Sequence, residues 1–477
     1  MPSSTELRSR FAAALSELYA TEVPAYQQLV DTATEVNAAV LRDRPESAER
    51  LGSISRVTCE RHGAVRVGTP AELHDLGVVL AAFGMHPVDF YDLRDTPASP
   101  VPVVSTAFRP VDPDELAANP FRLFVSVLVP EDRRFFDAEL HASVERSLAA
   151  RTLFPPELLA LAQRATAEGG LPEESAAELV RLAVASFQLS QEPIDRAWYE
   201  RLAAVSSVAA DIAGVPSTHI NHLTPRVLDI DLLHASMRRR GVDMLERIEG
   251  PPRWDGPELL LRQTSFKALA ETRTMAEPDG SVVQGALRVR FGEVEARGTA
   301  LTPAGRDLHD RCLAEADEAR RADPALSWQD ASRPVWERRF PATEDGLQRS
   351  GLAHFTWHAD GGRLVPRPVV YEDFLPRSAA GIFQSNLTSA GETAAEQGAP
   401  RDLGWLSDVL GREVLQSQDV YAAQVRTSVA TAAAALGRPE SEVLAETGLA
   451  ETGLADTGLL GGTVLLAGTG AGAPSGR

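Results

Sequence analysis

Two short stretches of this chain carry residue types and spacings suited to chemistry. One reads His62-Gly63-Ala64-Val65-Arg66, the other His222-Leu223-Thr224-Pro225-Arg226. Both are His-x-x-x-Arg, and each opens a strand-like run that leads into a helix pattern. An imidazole is a natural ligand for a divalent transition metal, and a guanidinium is a natural partner for a carboxylate. Side chains alternate along a strand, so His62 and Arg66 share a face with Cα atoms roughly 13 Å apart. An Arg leaning back toward a metal leaves room for a short dicarboxylate between the two.

The second stretch begins "THINH" and so offers a choice of histidines. On a strand His219 and His222 point in opposite directions. A helix there is disfavoured by Pro225 and by the β-branched Ile220 and Thr224. The parallel with His62 selects His222. A third piece, "RVRFGEVEARGTAL", places Glu293, Glu295 and Arg297 on one strand face. An inward carboxylate is costly unless it is paired or bound to metal. Two histidines and one carboxylate form the facial triad of non-haem Fe(II) oxygenases. Parity leaves Glu293 and Glu295 equally eligible. Gln263 and Ser265 alternate on the preceding run and read as strand-packing polar groups that could line the site. Cys59 lies three residues before His62, but no second Cys/His pair completes a zinc site.

These side chains need strands to aim them, and the order of elements supplies that. Residues 1–50 have apolar positions at helical spacing, with Ser and Thr available as caps. In 51–130 a strand at "HGAVRV" precedes a helix opened by Thr69 and Pro70, then further strand signals such as "FRLFVSVLVP". This is a βαβββ-type module. Residues 131–215 read as a helical insert. Residues 216–440 begin a second module of the same order, with strands at "HINHLTPRVLDID", "LLLRQTSFKAL", "GALRVRFGEVEARGTAL" and "RLVPRPVVYEDFL", followed by C-terminal elaborations. The near-repeat "AETGLAETGLADTGLL" and the glycine-rich end, within 441–477, read as a low-complexity flexible tail. The expected class is α+β: paired modules curling into a half-barrel around one metal.

Composition narrows the function. The 477 residues include 47 Lys and Arg against 67 Asp and Glu, a formal charge of −20. Such a surface repels nucleic acid and anionic lipid. No apolar run is long enough for a membrane span. Two cysteines exclude a disulfide framework and fit a reducing cytoplasm.

The pieces "HGAVRVGT", "HINHLTPRVLDID", "LLLRQTSFKAL", "RFGEVEARGTALTPAGRDLHD" and "VVYEDFLPRSAAGIFQSNL" together resemble the bacterial 2-oxoadipate dioxygenase/decarboxylase family, over all but the tail. The resemblance implies a vicinal-oxygen-chelate fold and chemistry similar to that of hydroxymandelate synthase. It implies Fe(II) as cofactor, and 2-oxoadipate plus dioxygen converted to 2-hydroxyglutarate and carbon dioxide in lysine breakdown. Carried over by motif, His62 and His222 become the imidazole ligands. "GEVEARG" is similar to the strand that supplies the carboxylate ligand in hydroxyphenylpyruvate dioxygenases, which points to Glu293. Arg66 would grip the substrate's distal carboxylate and so steer the outcome of catalysis. Arg377 and Ser378 of "FLPRSAAGIF" are further substrate candidates, Arg377 standing where relatives are expected to carry a small apolar residue. Two other readings compete: an isomerase or lyase of the same fold that uses no dioxygen, and a metal-stabilised binding protein whose fourth ligand is His219 or Glu295.

Overall fold

The computed structural model describes residues 1–45, 50–95, 100–268, 270–287, 290–375 and 400–449. Arg377 and Ser378, most of the "FLPRSAAGIF" segment and the repetitive tail lie outside the described residues.

The first module has a parallel crossover. Strands β1 (Arg61–Val67), β2 (His86–Asp92), β3 (Val103–Arg109) and β4 (Arg122–Leu128) lie in the order β2-β3-β4-β1. Here β1 is parallel to β4, and the other pairings are antiparallel. The connection between β1 and β2 is the helix Pro70–Ala82. Its start follows from local chemistry: Thr69 accepts from the Glu72 amide, Glu72 reaches back to the Thr69 amide, and Pro70 occupies the first turn. A minor strand β5 (Ile194–Asp195) sits among the helices that follow.

Strand β6 (Ile220–Pro225) then pairs antiparallel with β1, so the sheet passes into a second module. After β6 come the helix Ile230–Arg239, capped by Asp229, and strands β7 (Leu261–Phe266), β8 (Glu271–Ala276), β9 (Val282–Leu287) and β10 (Gly292–Arg297). Strand β10 joins β6 through the parallel bridge Arg226–Glu295 and pairs antiparallel with β7. The bridges Met244–Phe266 and Glu249–Gln263 lay the segment between them antiparallel on β7. The second module is therefore β6, helix, the 244–249 segment, β7 and β10, the same order as the first. This is the vicinal-oxygen-chelate-like arrangement, set in an α+β chain.

Two strand readings are corrected by this topology. The run "GALRVRFGEVEARGTAL" is two strands. Strand β9 leaves the half-barrel to pair with β8, which in turn pairs with β5, and the buried Arg290 beyond it ion-pairs with Glu22 and Glu271. Strand β12 (Arg363–Pro368), from "RLVPRPVV", pairs with β11 (Phe355–Asp360) in a separate hairpin. Pro366 and Pro368 deny it the ladder donors of a central strand.

Alternation along the strands gives the half-barrel two unlike faces. Val65, Val67, Leu123, Val125 and Val127 pack on the convex side against Leu7, Phe11, Leu15 and Tyr19 of the N-terminal helix Ser4–Glu22. Each such side chain, buried fully, contributes about 1.5–3 kcal/mol. On the concave side, Ala64, Phe124 and Leu128 pack with residues of the C-terminal half, including Tyr371, Phe374 and Tyr421. His62 and Arg66 lie on that concave side. Gly63 between them allows close approach of the neighbours, since a Cβ there would lie 2.7 Å from Ile220 Cδ1 and 2.9 Å from Leu123 Cδ2.

Candidate metal and substrate site

His62, His222 and Glu293 converge on the concave face. All three are buried, and one donor atom from each lies within 4.8 Å of the others. The Nε2 atom of His62 is 3.2 Å from Glu293 Oε1, and that of His222 is 3.7 Å from Glu293 Oε2. The two imidazoles meet edge to face with ring centroids 5.2 Å apart. Three elements cooperate here: β1 and β6 pair directly, and the Arg226–Glu295 bridge brings β10 beside β6. Gly292 precedes Glu293 because any Cβ there would sit 1.8 Å from the Phe266 ring.

Each member of the triad is braced from behind. His222 Nδ1 lies 2.9 Å from Thr224 Oγ1. Gln263 donates to Glu293 Oε1, a role beyond simple strand packing. His62 Nδ1 faces Glu295 Oε2 at 2.8 Å. This settles the geometry that parity left open: Glu293 meets both imidazole Nε2 atoms, while Glu295 stands behind one ring. Phe374 and Phe291 wall the site, with ring centroids 5.1 Å from His62 and His222 respectively.

The charges of the triad are tuned by its surroundings. Burial opposes a charge on His62, but the Glu295 and Glu293 carboxylates on either side raise its pKa. His222 is held well below the ordinary imidazole value by burial and by the neighbouring His62 and Arg66 charges. Burial raises the Glu293 carboxyl, with His62 pulling the other way. Glu295 is the opposite case. Burial would raise it, yet Arg297, His62 and Arg122 hold it far below the usual carboxylate range.

Behind Glu295 lies a buried ion network. Glu60 is 2.9 Å from Arg122, 2.8 Å from Arg226, 3.5 Å from Arg56 and 3.6 Å from Arg297. Glu372 pairs with both Arg56 and Arg122. Four guanidinium groups thus face the three carboxylates of Glu60, Glu295 and Glu372. Burying so many charges yields little net stability, but removing one partner leaves others uncompensated. Nothing in the sequence pattern marked this network, because its members are scattered from residue 56 to residue 372.

Arg66 sits on the same face, beside Ser126 across the β1–β4 pairing. It ion-pairs with Asp211. Asp211 also lies 3.2 Å from His219 Nε2 and accepts from Asn221 Nδ2 at 2.9 Å. Burial would raise the Asp211 pKa, but His219 and Arg66 drive it far down. His219 is therefore committed to Asp211 and Glu295 to Arg297, so neither stands as a fourth donor to the triad. Cys59 is exposed, away from the triad, and no cysteine belongs to a potential metal cluster among the described residues.

The donor set fits a metal. Two neutral-capable imidazole nitrogens and a carboxylate converge, each oriented by a buried partner, as in two-histidine, one-carboxylate centres. Fold and site together define a vicinal-oxygen-chelate-like protein with three donors at the centre of its half-barrel that could hold a metal ion.

Comparisons with known proteins identify the family. The model of the 2-oxoadipate dioxygenase/decarboxylase family matches residues 11–386, and the chain belongs to that family. A protein of that name from Mycobacterium tuberculosis is 53% identical over 417 residues, spanning 87% of this chain and 95% of its own. Its namesake from Escherichia coli is 39% identical over 442 residues, spanning 87% of this chain and 95% of its own. The crystal structure of a hydroxyglutarate synthase from Pseudomonas putida in complex with 2-oxoadipate superposes with a TM-score of 0.79 at 35% identity, covering 92% of this chain and 99% of that one.

Proposed function

We propose that this protein is an Fe(II)-dependent dioxygenase and decarboxylase that converts 2-oxoadipate and dioxygen to 2-hydroxyglutarate and carbon dioxide. The observation that carries this reading is the buried convergence of His62, His222 and Glu293 with Arg66 on the same concave face. The family relationship and the 2-oxoadipate held by the Pseudomonas putida structure support the substrate. The reaction balances without an external reductant: C1 leaves as carbon dioxide, and the two oxygen atoms of dioxygen enter the new carboxylate and the new hydroxyl.

His62, His222 and Glu293 would hold iron, which when bound supplies the Lewis acidity and redox chemistry of oxygen-dependent decarboxylation. The chain's own residues do the rest. Arg66 binds the distal carboxylate and decides which substrate carbon lies nearest the triad, a bidentate guanidinium being well shaped for this. Asp211, His219 and Asn221 fix the guanidinium in place. Phe374 and Phe291 exclude water from the reacting end, which strengthens every charge interaction inside. Arg377 and Ser378 are proposed to contact substrate from the segment that follows Leu375. No described helix is long and apolar enough to cross a membrane, and the two free cysteines fit a reducing cytoplasm.

The test is oxygen uptake by purified, Fe(II)-loaded protein given 2-oxoadipate, with the product identified by mass. One dioxygen consumed per 2-hydroxyglutarate is expected. Iron bound at the triad with no oxygen uptake on any 2-oxo acid would overturn the reading.

A further inference from the structure

We propose that Glu295 is a positioning residue that holds the proton of His62 on Nδ1, so that Nε2 turns its lone pair toward Glu293 and His222. The inference rests on the reading of His62 as a metal ligand and adds the residue that makes it one.

Glu295 is fully buried, and the groups around it are donors. Its Oε1 accepts from Arg297 Nε at 2.8 Å and from Arg122 Nη1 at 3.3 Å. Its Oε2 accepts from Arg297 Nη2 at 2.8 Å and faces His62 Nδ1 at 2.8 Å. Arginine has only N–H groups to offer, so both oxygens must remain acceptors. The 2.8 Å approach of His62 Nδ1 to an acceptor-only atom is a charge contact off the line of a straight hydrogen bond, and it is favourable when Nδ1 carries the hydrogen. That leaves Nε2, 3.2 Å from Glu293 Oε1, as the ligating atom. The two arginines thus act on the imidazole through the carboxylate between them.

An amide at this position inverts the logic. In Glu295→Gln one end of the side chain becomes an NH2 group. Keeping its oxygen at the Oε1 site, where Arg297 Nε and Arg122 donate, puts the NH2 at the Oε2 site against His62 Nδ1. The ring must then accept at Nδ1 and carry its hydrogen on Nε2, the wrong tautomer for ligation. Losing such an outer partner weakens metal binding by about 10–100-fold.

The control is Glu372→Gln. It removes one negative charge from the same arginine network, at Arg56 and Arg122, without touching His62. Metal-free protein is titrated with Co(II) alone in competition with a chelator, for the native chain and for Glu295→Gln, Glu372→Gln and His62→Ala, with circular dichroism to verify folding. Glu295→Gln is expected to bind Co(II) about 10–100-fold more weakly, and Glu372→Gln to stay within about threefold of native, because the outer-partner effect acts only through a residue touching the ligand. In Co(II)-loaded protein the exchangeable Nδ1–H resonance of His62 should be present in the native chain and lost in Glu295→Gln. Equal weakening by both Gln variants, or none by Glu295→Gln, overturns the inference while leaving the metal site intact. Unchanged Co(II) affinity in His62→Ala would overturn the ligand reading itself. If Glu295→Gln does not fold, Glu295→Asp, which keeps an acceptor-only group, should retain the Nδ1–H resonance, and its loss there counts against the proposal.

Discussion

The two modules write the same pattern, His-x-x-x-Arg, yet the structure uses its two halves differently. His62 and His222 both reach the concave face and meet. Their arginines part company: Arg66 stays at the site, paired with Asp211, whereas Arg226 is locked 2.8 Å from Glu60 in the network behind. The reason is the antiparallel pairing of β1 and β6, in which Arg61 lies opposite Pro225 and Ala64 opposite His222. Four residues onward from His62 leads toward the His219 end of β6. Four residues onward from His222 leads past Arg61 to Glu60. A repeated motif in an antiparallel pair brings its first residues together and sends its last ones to opposite ends. One arginine is left beside the triad and the other in the ion network behind the sheet.

This contrast can be broken in graded ways. The largest effect should come where the modules act alike: His62→Ala and His222→Ala are each expected to lower turnover by roughly a thousandfold, about 4 kcal/mol, as Lewis-acid stabilisation is lost. Turnover at the native rate in either, with metal content measured alongside, would remove that residue from the triad.

The next effect should separate the arginines. Arg66→Ala is expected to lower kcat/KM for 2-oxoadipate by roughly a hundredfold, about 3 kcal/mol, and to change the product ratio. It should discriminate less against a 2-oxo acid that lacks the distal carboxylate. Arg226→Ala should instead cost about 3 kcal/mol of folding stability, measured by denaturant unfolding, with KM little altered. Identical kinetic behaviour of the two variants would erase the distinction drawn here.

The network also predicts a pH dependence. Burial would raise the Glu372 pKa, but Arg56 and Arg122 lower it below the ordinary carboxylate value. A depressed carboxylate contributes stability that is full above its unfolded value, about 4.3, and is lost as pH falls through the folded one. Glu372→Gln should therefore be less stable than the native chain at neutral pH, with the gap closing as pH drops below about 4. A gap independent of pH would mean that its charge contributes nothing.

The smallest effects should again be alike in the two modules. Thr69 and Asp229 each cap the helix that follows the first strand of a module. Replacing either by Ala should cost about 1 kcal/mol in thermal unfolding without altering metal affinity.

Much of this is legible in the sequence alone. Period-two alternation put His62 with Arg66, and Glu293 with Glu295, on shared faces, and Thr69-Pro70 marked a helix start that the structure keeps. Such features depend on residues a few positions apart. The segment at 244–249 carried no readable signal, since it joins the sheet through isolated bridges to β7 rather than through a regular ladder. The break between β9 and β10 was equally hidden: Arg290, which lies between them, pairs with Glu22, 268 residues away in sequence.

The sequence by itself determined the chemistry available: which residues can ligate, which can bind a carboxylate, and that two modules repeat one order of elements. Only the tertiary structure chose among equivalents. Glu293 and Glu295 have the same parity, and what separates them is that β10 lies beside β6 with Arg122 and Arg297 gathered on the Glu295 side. His219 and His222 differ in use because Asp211, on the helix Ser207–Ala213, claims the first. Local pattern sets where a side chain points, but the charge that meets it there comes from strands and helices far along the chain, and that meeting assigns its role.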